Sequence, residues 1–465
     1  MKQSARWIDS NDYEVPGAQH PRRLSFLKFL MRYPIFLLAF GPPIFRSHAA
    51  LVGFNTSQAH YDFWSIFQVG WISLIALRAI LRLAAARSIL IPKQIRSILK
   101  LAFFLGLLFL ASVAYSPGRI VSAEFTILYF LTLICVVEFM VDVYRDPPNW
   151  MQFLFQLRFI LVLLFVVVLL TLSIEPDLVL AIIPGAGIRL LGSPVATMDV
   201  ICPIISIISA YNFRHSLESR VRSTLFFLIG LTGTVITQTR GAEIALFAVL
   251  AILGIGWAKT NRRSVYIFIF GFMASILLAG VVVGTIGGER IWNTFNRGQD
   301  TAGIASASGR TEIWKFAIQY CMNHPQGMGY VAGFRDASSR HYSFDMSTDP
   351  TTLGNCHNSF IQYLADAGWL ALALYLIMMA KVVALGWRFG KNRALVTSAS
   401  DSVARHAIQC ALLLLIFCFA QGMESSSFTI PLQGPFYYQN IIVAIILGAS
   451  ATLLIASRTQ YTSFE

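Results

Sequence analysis

The chain has 465 residues, 56% of them hydrophobic and only 13% charged, with a formal net charge of +13. Soluble globular chains carry about one quarter charged residues, so this balance excludes an ordinary water-soluble fold. The basic residues lie mainly in short stretches between apolar runs and not on one soluble face, which makes them a topology signal and sets nucleic acid aside as a partner.

The first 28 residues are polar and carry Pro16, Arg22 and Arg23, without the apolar core and small-residue cleavage site of a secretory signal, so 1–28 reads as a cytoplasmic tail. Apolar windows then predict helical spans near 29–46, 62–84, 99–116, 120–141, 152–173, 195–212, 222–239, 241–258, 264–286, 358–386, 406–423 and 435–456, about twelve in all. Pro34, Pro42 and Pro43 interrupt the first. Runs such as FILVLLFVVVLLTLSI approach the roughly 20 residues that cross about 30 Å of hydrocarbon as a helix. They do not alternate, which excludes a membrane β-barrel.

Orientation follows from Lys and Arg in the short loops. Arg82, Arg87, Lys93 and Arg96, then Arg214, Arg220 and Arg222, then Lys259, Arg262 and Arg263, then Arg388, Lys391 and Arg393 all fall on the side of the amino-terminal tail. The expected fold is therefore all-α, a polytopic transmembrane helix bundle in a bacterial inner membrane. Spans one to nine occupy 29–286, a large partly helical periplasmic loop 287–356, spans ten to twelve 357–456, and a second cytoplasmic tail 457–465.

A loop as long as 287–356 is usually functional. It holds six basic residues (Arg290, Arg297, Arg310, Lys315, Arg335, Arg340) and six acidic ones, so it is no simple polycationic patch. Its segment SGRTEIWKFAIQYCMNH reads as an amphipathic helix, with Ser308 as cap and Ile313, Phe316, Ala317 and Tyr320 on one face, ended by Pro325 and the turn QGMG. Cys135, Cys202, Cys410 and Cys418 fall in apolar runs as packing residues. Cys321 and Cys356 fall in the outer loop, where a disulfide between them would enclose HPQGMG. No internal repeat, phosphate-binding glycine loop, Asp-x-Asp motif or Cys/His metal spacing occurs, so no metal site and no cofactor are expected.

Three positions carry candidate chemistry. Arg240, in TQTRGAEIALF, stands at an outer membrane junction, where a guanidinium either snorkels or pairs with Glu243, or grips a diphosphate through a bidentate fork. Arg310 opens the loop helix, where backbone N–H groups also face anions, or else forms a surface salt bridge with Glu312. His357 and Asn358 begin the run HNSFIQYLADAGWLALAL, as interfacial and capping residues or as part of a site.

The order of these residues resembles that of the O-antigen ligase and polymerase superfamily over about 195–385: an arginine beginning a span, SGR followed by Trp314, then HPQGMG, then His357 and Asn358 with Gly368 ten positions on. The ligase pattern ends in a further glycine where this chain has Ala371. The resemblance implies a metal-independent inverting glycosyltransferase that moves a glycan from undecaprenyl diphosphate to a sugar hydroxyl at the periplasmic face. His357, Arg240 and Arg310 would be catalytic, and Arg290, Arg297, Asn358 and Gly368 would bind substrate. The acceptor would be lipid A-core sugar in a ligase, or a second lipid-linked repeat in an O-antigen or exopolysaccharide polymerase. A small-anion transporter would place its site near the midplane between related halves, which are not seen, and a structural subunit of an export complex would leave the ordered Arg, Arg and His set unexplained.

Overall fold

The computed structural model describes residues 26–33, 35–37, 63–86, 91–146, 148–174, 180–183, 187–190, 198–237, 239–258, 310–342, 356, 358–391, 399–423 and 435–462. Among these are the helices α1 Phe26–Arg32, α2 Phe63–Ala84, α3 Lys93–Ser112, α4 Arg119–Arg145, α5 Trp150–Ile174, α6 Met198–His215, α7 Arg220–Thr237 and α8 Arg240–Ala258. They are followed by α9 Arg310–Asn323, α10 Ala332–Tyr342, α11 Ser359–Lys391, α12 Ala399–Gly422 and α13 Pro435–Thr462. The fold is helical, as expected, with one departure: Leu180–Ile183 (β1) and Gly187–Leu190 (β2) pair antiparallel, Leu180 opposite Leu190.

Most helices lie where the apolar windows put them. Among the described residues five are long and apolar enough to cross a membrane, Lys93–Ser112, Arg119–Arg145, Gln152–Ile174, Ser359–Lys391 and Asp401–Gly422, with a shorter apolar stretch at Gln439–Leu454. The expected span at 264–286 lies outside the described residues. The first expected span is not continued as one helix: α1 stops at Arg32, before Pro34, and residues 35–37 form a single tighter turn. Proline has no N–H to extend the ladder, and its ring crowds the preceding turn.

One continuous apolar core runs through the bundle, from Phe29 and Ile72 through Phe139, Phe153 and Ile201 to Leu414 and Ile445. Within it α6 lies against α7 so closely that a Cβ on Gly233 would meet the Cys202 thiol at 2.5 Å. Small residues are what allow backbones in lipid to approach this far. α12 is the central post, touching α5, α6, α8, α11 and α13, and its Ala411, Leu414, Leu415 and Phe417 are buried. Outward faces are apolar too: Leu74, Leu77 and Leu81 on α2, Phe103, Phe104 and Leu107 on α3, and Ile244, Phe247 and Ile255 on α8 are exposed. Such a surface is paid for in water and costs nothing against hydrocarbon. The chain is a membrane protein.

Several charged residues within the apolar helices are paired. Arg82 donates to Asp142 (2.6 Å) and Glu138 (2.8 Å), and Arg78 to Glu138 (3.1 Å), tying α2 to α4. Arg158 on α5 forms a two-pronged pair with Glu218 in the α6–α7 turn, its Nη2 donating to Oε2 at 2.7 Å and its Nη1 to Oε1. The two side chains are only 4% and 6% exposed. Ser223 donates to the same carboxylate at 2.8 Å, and the guanidinium lies 4.3 Å from the Phe226 ring centroid. Arg158→Met should lower stability by about 3–5 kcal/mol, because Glu218 would keep its buried charge without its counter-ion. Thermal unfolding of the detergent-solubilised variant at neutral pH would check this, an unchanged midpoint counting against it.

Candidate active site

Helix α11 is broken in mid-course. Gly368 has φ 81° and ψ −175°, values that interrupt the helix in mid-course. Only glycine adopts them without strain, and a Cβ there would also run into the Pro325 carbonyl oxygen. The break strips carbonyls of their intrahelical partners, and the segment from Cys321 to Gly329 supplies others. The Cys321 thiol donates to the Leu364 carbonyl (3.4 Å), Met328 N–H to Ala365 (2.7 Å) and Gly329 N–H to Asp366 (3.0 Å). In return Trp369 N–H donates to the Pro325 carbonyl (3.1 Å) and its indole to the Cys321 carbonyl (3.2 Å). HPQGMG is therefore the missing turn of α11, contributed from another part of the chain.

The same turn is seated against α3 and α4. The Ser112 hydroxyl accepts from Tyr330 N–H (2.9 Å), and Ser122 donates to the Tyr330 carbonyl (2.6 Å). The Tyr330 ring stacks on Phe109 with centroids 3.9 Å apart. Val331 has φ 62°, with Ala332 N–H donating back to the Tyr330 carbonyl at 2.7 Å. A β-branched residue held in such a reversal stores about 1–3 kcal/mol, offset here by the buried contacts on either side.

Helix α9 lies alongside the first turns of α11, burying Ile313 and Ala317 with Cys356 and Ala365. The amphipathic loop helix is thus present and packs on protein, while Ser308, its expected cap, lies outside the described residues. Trp314 donates its indole N–H to the Cys356 carbonyl at 2.7 Å. Arg310, the first residue of α9, stands one turn before Trp314 on the same face and is half-buried. Asn358 caps α11: its Oδ1 accepts from Phe360 N–H (3.0 Å) and Ile361 N–H (3.1 Å), and its Nδ2 donates to the Met423 carbonyl at the end of α12 (3.0 Å). His357, between Cys356 and Asn358, lies outside the described residues, as do Arg290 and Arg297.

Connectivity brings Arg240 to this end of the bundle. Gln421 near the end of α12 donates to Asp199 at the start of α6 at 3.0 Å. α7 returns along α6 to finish at Thr237, and α8 begins three residues later with Arg240, which is half-buried. Arg240, Arg310 and Asn358 therefore occupy one end, with the HPQGMG turn. Arg158, Glu218, Tyr211 and His406 occupy the other. Both candidate arginines are the first residues of helices, where N–H groups and the helix dipole present positive potential.

Cys321 and Cys356 are free, buried thiols, so the bridge considered from the sequence is not formed. Burial, with the neighbouring Asp366 in support, pushes Cys321 up to about 12 and Cys356 well above the ordinary thiol range. Sequence reasoning passed over Gln362 and Asp366, both fully buried within α11. The signal was available: an acid inside an apolar run is expensive, and its presence is a reason to look for a function.

Two outcomes follow from this geometry. Gly368→Ala should destabilise the protein by at least about 1–3 kcal/mol, since it forces both a left-handed backbone and a backbone clash, whereas Gly70→Ala, with nothing within 4 Å of its Cβ, should be neutral. Thermal midpoints of the two variants make the comparison. Maleimide should label Cys321 and Cys356 only after denaturation, and without prior reduction; labelling that required a reductant would mean that they are bridged. Among known proteins, no curated one matches the chain. Residues 225–376 do match a family model described as O-antigen ligase, a stretch that contains Arg240, α9, the HPQGMG turn and the break at Gly368. That match supports, for this segment, a likeness to the O-antigen ligase and polymerase superfamily.

Proposed function

We propose that the protein is a metal-independent inverting glycosyltransferase that moves a glycan from undecaprenyl diphosphate to a sugar hydroxyl of lipid A-core at the periplasmic face of a bacterial inner membrane. The family match over 225–376 carries this reading, because it covers Arg240, Arg310, His357, Asn358 and Gly368 together. In the topology proposed with it, about twelve spans leave both termini cytoplasmic and 287–356 outside, and the end bearing Asn358 faces the periplasm.

The reaction requires an acceptor hydroxyl to attack the anomeric carbon as the bond to the diphosphate breaks. Charge grows on the departing diphosphate, and Arg240 and Arg310, each at a helix start, meet it with guanidinium and backbone N–H groups in place of a cation. His357 takes the proton from the attacking hydroxyl. Asn358 and Gly368 hold the frame, one by capping α11 and one by breaking it. Arg290 and Arg297 contact the donor's phosphates or glycan. A polymerase of the same superfamily would share these residues and differ in taking a lipid-linked repeat as acceptor.

The test is transfer by the full-length protein in lipid vesicles, supplied with undecaprenyl-diphosphate glycan and either lipid A-core or a second donor molecule as acceptor. Product on lipid A-core supports the ligase; chain extension on the donor alone would reassign the protein as a polymerase. His357→Gln retains hydrogen bonding but is no base at neutral pH, and should lower the rate by about 10²–10⁴-fold. Arg240→Lys should lose nearly as much as Arg240→Ala, since an ammonium cannot make two parallel hydrogen bonds. Wild-type rates in His357→Gln would remove the histidine from proton transfer.

A further inference from the structure

The break at Gly368 divides α11 into a short piece, 359–367, and a longer one, 369–391. At 1.5 Å per residue the longer piece runs about 34 Å, enough to cross a hydrocarbon core of about 30 Å without the shorter one. Each end of it carries an exposed tryptophan. Trp369 is its first residue, and Trp387 stands one turn before Lys391, whose ammonium lies 5.8 Å from the Trp387 ring centroid. About 27 Å of helix separates the two tryptophans. Tryptophans collect at both faces of a bilayer, where the ring sits between hydrocarbon and headgroup. This pair has the spacing of the two boundaries, so Trp369 stands at one of them.

Helix α9 ends at that level. The Trp369 indole donates to the Cys321 carbonyl at 3.2 Å, and the Trp369 backbone N–H to the Pro325 carbonyl at 3.1 Å. Met322, the residue after Cys321, is 69% exposed, and Ile318, one turn back on the same face, is exposed as well. Along α9 the exposed side chains pass from Glu312 and Lys315, paired at 2.8 Å in the first turns, to Ile318 and Met322 in the last, with Gln319 on the side of Lys315. Asn323, His324 and Gln326 follow, exposed and polar. Ile318 and Met322 thus share one level with Trp369 and the exposed Leu370, and below Leu370 the same surface continues through Leu376 and Ile377 on the piece that crosses the membrane. This continuity assigns lipid as the cover of the patch.

We propose that the end of α9 is an interfacial anchor: Ile318, Met322, Trp369 and Leu370 enter the edge of the acyl-chain layer, while Asn323, His324 and Gln326 lie among the phospholipid headgroups. Interfacial helices seat their apolar side chains about 5–10 Å into this boundary. The anchor fixes the HPQGMG turn, and the break that it completes, at headgroup depth. A lipid-linked diphosphate lies at that depth, so a donor would meet the turn without leaving the membrane. The immersion of α9 stands on exposure and contacts alone, and only its use for such a donor rests on the function proposed above.

The experiment places a small environment-sensitive thiol-reactive fluorophore on Ile318→Cys, Met322→Cys and Lys315→Cys of the full-length protein in phosphatidylethanolamine–phosphatidylglycerol vesicles. All three positions are exposed, and the six native thiols are buried and stay unlabelled without denaturant. The labels at 318 and 322 should emit to the blue of the label at 315 and lose emission to a lipid carrying a nitroxide high on its acyl chain. Aqueous iodide should give them the smaller Stern–Volmer slope. Iodide quenching at 318 and 322 as strong as at 315 would overturn the anchor and put the end of α9 in water. Protection from both quenchers would overturn it as well, because a protein surface would then cover the patch. Glycan transfer by the unmodified protein in the same vesicles is measured separately, so loss of the anchor and loss of the proposed function are told apart.

Discussion

Backbone groups buried in a membrane protein must find partners inside the protein, and the break of α11 at Gly368 creates several that have none in their own helix. That constraint organises the surrounding chain. The carbonyls of Leu364, Ala365 and Asp366 are taken up by Cys321, Met328 and Gly329, and the N–H of Trp369 by Pro325. Once the turn from His324 to Gly329 is held there, α9 has to run beside the first turns of α11, and Trp314 comes within reach of Cys356. The break brings a loop helix, a helix start and the residue before His357 into one rigid neighbourhood.

The two ends of the bundle use charge differently. At the end bearing Arg158, cations and anions are matched in close pairs: Arg158 with Glu218, Arg82 with Asp142 and Glu138, Arg32 with Asp146. These bind helices to one another and use up the charge. At the Asn358 end, neutral groups also fasten segments together: Asn358 to Met423, Ser122 to Tyr330, Tyr115 to the Gln326 carbonyl.

Much of the bundle was legible in the sequence because membrane helices are written in long apolar runs, whose positions need no knowledge of partners. The ends were less legible. α4 continues to Arg145 beyond its apolar stretch because Asp142 and Asp146 have arginine partners on α2 and α1, a tertiary fact that no window contains. The β1–β2 hairpin and the polar helix α10 escaped for a related reason: both are short and lack a long apolar run. For the proposed site, residue order pointed to Arg240, Arg310, His357, Asn358 and Gly368, but not to the backbone break at Gly368. Its φ of 81° answers to a turn some forty residues earlier, and only folding brings Pro325 against it.

The helix starts at Arg240 and Arg310 set a last constraint on the proposed chemistry. A cation in the first turn works against the helix dipole by about 0.3–1 kcal/mol, the opposite of the acidic preference that Glu243 and Glu312 satisfy in the same turns. A doubly charged leaving group reverses the sign, because the guanidinium and the exposed N–H groups then act on the anion together, and repulsion between them becomes joint attraction as charge develops. In the proposed reaction that attraction grows along the path from the bound donor to the departing diphosphate. It therefore lowers the barrier more than it deepens the bound state, which is the condition for binding energy to appear as rate.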